Sequence, residues 1–156
     1  MSARIEAAAA TLVSCLCSVA AAHHSVAYYG DEFIDHGETI TLRTELYDIE
    51  RTIHMNLNEA PVDAPASRHG YSIGRWDGDD LVVTTTRVNW PYFDNRGTPQ
   101  SEDVRIEERF ELSADEARLN FSVTVTDAAT FTSPAVLSGY WEALGETIPA
   151  YDCQPL

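Results

Sequence analysis

Val104-Arg105-Ile106-Glu107-Glu108-Arg109-Phe110-Glu111-Leu112, then a polar turn over residues 113–117, then Leu119-Asn120-Phe121-Ser122-Val123-Thr124-Val125 read as two consecutive β-strands. Val104, Ile106, Phe110 and Leu112 share one face, with Arg105, Glu107, Arg109 and Glu111 on the other, and Leu119, Phe121, Val123 and Val125 repeat the pattern. Alternation with a period of two marks a strand with one face packed and one wet. No apolar stripe of period 3.6 runs for a helical length anywhere after residue 39. Ile106, Phe110, Phe121, Val123 and Val125 are accordingly expected in the core.

Outward from this pair the same rhythm continues. Residues 71–76 and 81–88 flank Asp77-Gly78-Asp79-Asp80, and Asp-Gly between two strand patterns signals a hairpin because its backbone angles suit Gly and Asp. Ile40, Leu42 and Leu46 lie in one phase, and Tyr47, Ile49, Ile53 and Met55 in the other, so a bulge or tight turn falls near Leu46. A last strand covers residues 135–144, and the Pro- and Gly-bearing segments 57–69 and 90–103 are loops. Six or seven strands joined by short connections define an all-β fold. The expectation is an antiparallel meander forming a curled sheet or a partly open, lipocalin-like barrel, preceded by a signal helix.

The signal is the uncharged run Ala-Ala-Ala-Ala-Thr-Leu-Val-Ser-Cys-Leu-Cys-Ser-Val-Ala-Ala-Ala of residues 7–22, following Arg4. It is shorter than the roughly 20 apolar residues of a membrane-spanning helix and ends in the small residues that a signal-cleaving enzyme requires. Cleavage fits before His23 or before Ala22, leaving 23–156 as a single β-rich domain. A lipoprotein site at Cys15 and a buried Ala-rich helix are the alternatives. Of the three cysteines, only Cys153 then survives, so it cannot form an intrachain disulfide. Export to the periplasm or beyond is the expected localisation.

Composition removes several functions. The 156 residues carry 10 basic side chains against 25 acidic ones, a formal charge of −15, and all the basic residues are arginines. Without lysine there is no Schiff base, no amine nucleophile and no Walker phosphate loop. So acidic a surface repels nucleic acids and anionic lipid headgroups, which bind clustered cations.

Gly70-Tyr71-Ser72-Ile73-Gly74 matches the G-x-S-x-G of serine hydrolases, but strand sequence follows it where that motif needs a helix. Gly74-x-Trp76 matches the short G-x-W of lipocalins. Arg51 lies in phase with Ile49 and Ile53, and Glu108 with Ile106 and Phe110. Charges on inward faces must find each other or a ligand, so these two are expected either as an ion pair or as ligand-orienting groups. Trp90, Tyr92 and Phe93 in the loop Asn-Trp-Pro-Tyr-Phe-Asp-Asn suit the lid of a small-molecule pocket, or packing against a barrel end. At a cleaved N-terminus, the amine and imidazole of His23 could hold Cu(II) with a third nitrogen from His36, His54 or His69. If Ala22 leads, His23 and His24 follow it at a spacing that also suits copper.

The start Ala22-His23-His24-Ser25 after a signal resembles an uncharacterised family of exported bacterial proteins with a mature His-His-Ser start. Residues 47–153 resemble a C-terminal module of that family through Arg51-Thr52-Ile53-His54-Met55, Ser72-Ile73-Gly74-Arg75-Trp76, Leu81-Val82-Val83, Glu108-Arg109-Phe110 and Tyr151-Asp152-Cys153. Two departures are Tyr71, where His is common, and a short span between the two motifs. The resemblance implies an exported β-rich protein and no particular activity.

The expected function is that of a periplasmic, non-enzymatic binding protein for a small hydrophobic molecule, for Cu(II), or for both. Arg51, Glu108, Trp90, Tyr92 and Phe93 are the candidate ligand residues, and His23, His24 and His54 the candidate metal ligands. A small barrel enzyme using Arg51 and Glu108, or a homo-oligomer formed through open sheet edges, is the alternative.

Overall fold

A computed structural model describes residues 12–14, 29–44 and 49–143, and these are all-β. Eight strands form one curled sheet in chain order: β2 (Tyr29–Asp35), β3 (Thr39–Thr44), β4 (Ile49–His54), β5 (Tyr71–Asp77), β6 (Asp80–Thr86), β7 (Arg105–Leu112), β8 (Arg118–Thr126) and β9 (Ala135–Ala143). A three-residue strand, β1 (Leu12–Ser14), pairs with β2 on one side and with β9 on the other and closes the ring. The expected signal helix otherwise falls outside the described residues, as do Cys15, His23, His24 and Cys153.

Neighbouring strands run antiparallel with one exception. β4 and β5 pair in parallel, Ile53 opposite Ser72 and His54 opposite Ile73, so that the long connection over residues 55–70 returns the chain beside the end of β4, from where β5 runs on in the same direction. The other long connection, over residues 87–104, joins the antiparallel neighbours β6 and β7. Thr44 pairs with Ile49, making β3 and β4 antiparallel neighbours, and the bulge or tight turn expected near Leu46 lies outside the described residues. Asp77 pairs with Asp80, and Gly78 takes φ +68° at the first central position of the two-residue turn, the type II′ arrangement that only glycine adopts without strain.

β2 is the strand that alternation from residue 39 onward does not reveal. Its turn into β3 is built locally: Gly37 at φ +83° donates its N–H to Asp35 Oδ1 at 2.7 Å, and His36 N–H donates to the Thr39 carbonyl at 2.8 Å.

The inward faces form two adjoining apolar clusters. Ile40, Ile53, Leu81, Val83 and Phe110 make the first, with Phe33, Phe121 and Trp141 packed against it. Val88, Val104 and Val125 make the second, flanked by Phe93, Ile106, Val123 and Phe131. Of the expected core residues, Phe110 and Val125 are buried, whereas Ile106, Phe121 and Val123 are half-buried against them. Two glycines exist for packing. A Cβ on Gly74 would lie 2.5 Å from Met55 Sδ and 2.7 Å from Ile53 Cγ2, and one on Gly139 would lie 2.6 Å from Phe121 Cζ.

Candidate functional site

Glu108 stands on β7 between Ile106 of one cluster and Phe110 of the other, and Arg51 on β4 reaches it across the interior. Nη1 lies 2.8 Å from Oε2, and Nη2 donates to Oε1 at 3.1 Å, with both side chains more than four-fifths buried. The ion pair offsets part of the desolvation both charges undergo, although Glu108 Oε2 and Arg51 Nε are buried with no hydrogen-bond partner among the described residues. A third charge joins them from β2. Asp31 accepts hydrogen bonds from Thr44 and Trp141 and feels the Arg51 charge, yet burial outweighs these and pushes its pKa above the ordinary carboxylate range. The Arg51 guanidinium pairs with Glu108, and its charge is the weakest of the influences on Asp31.

The serine of the hydrolase-like motif lies on a strand with no helix after it among the described residues. Ser72, the second residue of β5, is 1% exposed, and its hydroxyl shares a 2.8 Å hydrogen bond with that of Thr85. The motif's first glycine, Gly70, holds φ +72° in the turn before the strand, and the second, Gly74, admits Ile53 and Met55 close to the backbone.

The aromatic loop, in contrast, builds an open site. Phe93 turns inward and meets Phe131 edge to face at 5.1 Å, anchoring the loop to the second cluster. Trp90 and Tyr92 stay 40% and 49% exposed and pack edge to face at 6.2 Å. The loop backbone is pinned several times: Phe93 N–H donates to the Thr98 carbonyl at 2.7 Å, Gln100 N–H to the Pro91 carbonyl at 3.0 Å, and Gln100 Nε2 to the Trp90 carbonyl at 2.7 Å. Asp94 closes its tip. Oδ1 accepts from the N–H groups of Thr98 and Arg96, and Oδ2 from the Thr98 hydroxyl, all within 3.0 Å. These bonds, the Thr98 amide first, hold its carboxyl below the ordinary range. Asp127 braces the far side of the loop, accepting from Ser101 N–H at 2.6 Å and from the Ser101 hydroxyl at 2.8 Å.

The result is a cleft of about 630 Å³ lined by Arg68, His69, Trp90, Tyr92, Phe93 and the turn over residues 94–97. Arg68 Cζ lies 4.1 Å from the centroid of the Trp90 ring, a cation–π contact that keeps its guanidinium in the cleft. Neither Arg51 nor Glu108 lines it, so the five residues grouped from sequence divide into an interior ion pair and a surface cleft. A second groove of about 590 Å³ lies beside β5 and β6, lined by residues 55–60 with Arg75, Thr84 and Arg105, and has no aromatic wall.

For the metal, the described residues offer little. His54 is stacked on Tyr71, ring centroids 4.6 Å apart and planes 7° from parallel, and among the described residues no three of His, Cys, Asp and Glu come together as a metal-binding group. His23 and His24 lie outside the described residues.

Arg68, Arg96, Asp94 and Asp31 escape sequence reasoning. The first three come from loops, where no periodicity tells which way a side chain points; Asp31 sits two residues before Phe33, a signal visible only once β2 is recognised as a strand. Compared with known proteins, the chain matches no family model, no curated protein and no solved structure.

Proposed function

We propose that this is an exported binding protein, without catalytic activity of its own, that takes a small aromatic molecule into the cleft formed by Trp90 and Tyr92. The observation that carries this reading is the combination of two exposed aromatic side chains with a loop backbone already fixed by Asp94, Gln100 and the half-buried Phe93. A preformed aromatic wall binds without a further ordering cost. The test is a fluorescence titration with the neutral probe N-phenyl-1-naphthylamine. Saturable binding that is lost in Trp90→Ala and retained in Trp76→Phe supports the reading; binding unaffected by Trp90→Ala overturns it.

A second reading, self-association, rests on β9. Its outer edge pairs with β1 only at Glu142 and Ala143, residues 135–141 carry no charge, and Val136, Leu137 and Tyr140 are 69%, 50% and 50% exposed. β2, by contrast, carries Asp31, Glu32 and Asp35. Signal cleavage would remove β1 and leave β9 the less guarded edge, suited to antiparallel pairing with a second copy. Sedimentation of the cleaved protein as a dimer, reduced to monomer by Val136→Lys, is the expected result on this reading; a monomer at all concentrations removes it.

A further inference from the structure

The binding reading names a cleft but no ligand class, and the arginines supply one. In a chain of ten basic and 25 acidic side chains, arginines have carboxylate partners in excess. Four of the nine described arginines use them: Arg51 pairs with Glu108, Arg105 with Glu107, Arg109 with Asp77 and Asp80, and Arg118 with Glu142. Arg87 instead donates to the Val62 carbonyl. Among the described residues Arg68, Arg75 and Arg96 make no ion pair; Arg75 lines the second groove, and Arg68 and Arg96 line the aromatic cleft.

The cleft's one carboxylate, Asp94, does not consume them. Three hydrogen bonds from Thr98 and the Arg96 backbone occupy both its oxygens, so the Arg96 charge acts on it without a guanidinium contact. Arg68 is held by its face against Trp90. A cation–π contact uses that face and leaves the in-plane N–H donors open, five per guanidinium in a fork that matches a carboxylate. With two guanidiniums and one carboxylate, the cleft carries a net positive charge on a chain of −15. A neutral aromatic ligand would leave both exposed forks to water, whereas a carboxylate would answer their charge.

We infer that the ligand is an aromatic carboxylate: a flat ring system against Trp90 and Tyr92 whose acid group is taken by Arg96 and Arg68. This inference rests on the cleft being the binding site, and the following experiment separates the two claims. Isothermal titration of the purified protein compares 2-naphthoate with its neutral isostere 2-naphthamide, in wild type and in Arg96→Gln, Arg68→Gln and Trp90→Ala, each checked for an unchanged circular-dichroism spectrum. The carboxylate should bind about tenfold or more tightly than the amide, the span of one charge-assisted hydrogen-bonded pair. Arg96→Gln should bring the two ligands to within about twofold of each other, Arg68→Gln should shrink the difference, and Trp90→Ala should weaken both. Equal affinity of acid and amide in wild type overturns the aromatic-carboxylate assignment while leaving the cleft as an aromatic site. Binding of both probes that ignores Trp90→Ala, or no binding of either, overturns the cleft and the assignment together.

Discussion

Arg51 on β4 and Glu108 on β7 meet at 2.8 Å although β5 and β6 lie between their strands in the sheet. Such a bond spans the concave side and ties together strands that backbone pairing does not join. It also closes a weak seam, because β4 and β5 share only two paired positions. Replacing one partner, as in Arg51→Met or Glu108→Leu, leaves the other charge buried and should cost roughly 3 kcal/mol or somewhat more. The double variant Arg51→Met with Glu108→Leu should recover a large part of that loss. Urea unfolding of the three proteins measures it, and additive losses would deny the coupling.

Gly139 and Phe121 form a second coupled pair. A methyl at Gly139 would fall 2.6 Å from the Phe121 ring, which itself packs on Trp141 with centroids 4.2 Å apart. Gly139→Ala should therefore cost about 1–3 kcal/mol through overpacking. In a Phe121→Ala background, already weakened by about 3 kcal/mol, the added methyl should cost little or restore some stability. Thermal unfolding of the double-mutant cycle reads the sign directly.

Ser72 should not react with a fluorophosphonate probe. Its hydroxyl is buried and bonded to Thr85, with no histidine among its hydrogen-bond partners. Labelling that disappears in Ser72→Ala would contradict this, and Ser72→Ala itself should cost about 1–3 kcal/mol, because it leaves the buried Thr85 hydroxyl without its partner.

Acid should act on the two ends of the molecule in opposite directions. Asp94 and Asp127 have folded-state pKa values lowered, chiefly by the Thr98 and Ser101 amides, so their contribution is present above the ordinary value near about 3.9 and fades as pH falls through the lowered one. Asp31, raised by burial, behaves inversely: the folded state holds its proton more tightly than the unfolded one, so stability falls as pH rises through the window between the two values. Asp31→Asn should then be more stable than wild type at neutral pH, with the advantage gone below about pH 3.9, while Asp127→Asn should be less stable at neutral pH and lose less on acidification. Stability curves from pH 3 to 7 for the three proteins test both signs.

The sheet was legible wherever one face packs and the other is wet. β5 through β9 fall within a residue or two of the alternating segments 71–76, 81–88, 104–112, 119–125 and 135–144, and the Gly78 turn sits where its dipeptide signalled it. The Arg51–Glu108 contact was legible for the same reason, since a charge in phase with Ile53 or Phe110 must be answered. β2 was not, because Gly30, Asp31, Glu32 and Asp35 hide its alternation around Phe33. Nor was the parallel junction of β4 and β5, which depends on where a long loop returns. In the cleft, Trp90, Tyr92 and Phe93 could be nominated by composition, but which of them turns inward is decided by Phe131, a residue in a different loop.

Incorporation of 5-fluorotryptophan provides the most direct test of the binding site, since the protein's three tryptophans report on three places. Trp90 stands in the cleft, Trp76 at the β5–β6 hairpin, and Trp141 in the interior against Phe121 and Asp31. Fluorine NMR during titration with 2-naphthoate should shift or broaden the Trp90 resonance, assigned by its disappearance in Trp90→Phe, and leave those of Trp76 and Trp141 in place. A Trp141 resonance that moves while Trp90 stays fixed would put the ligand inside the sheet beside Arg51 and Glu108, and would contradict the cleft.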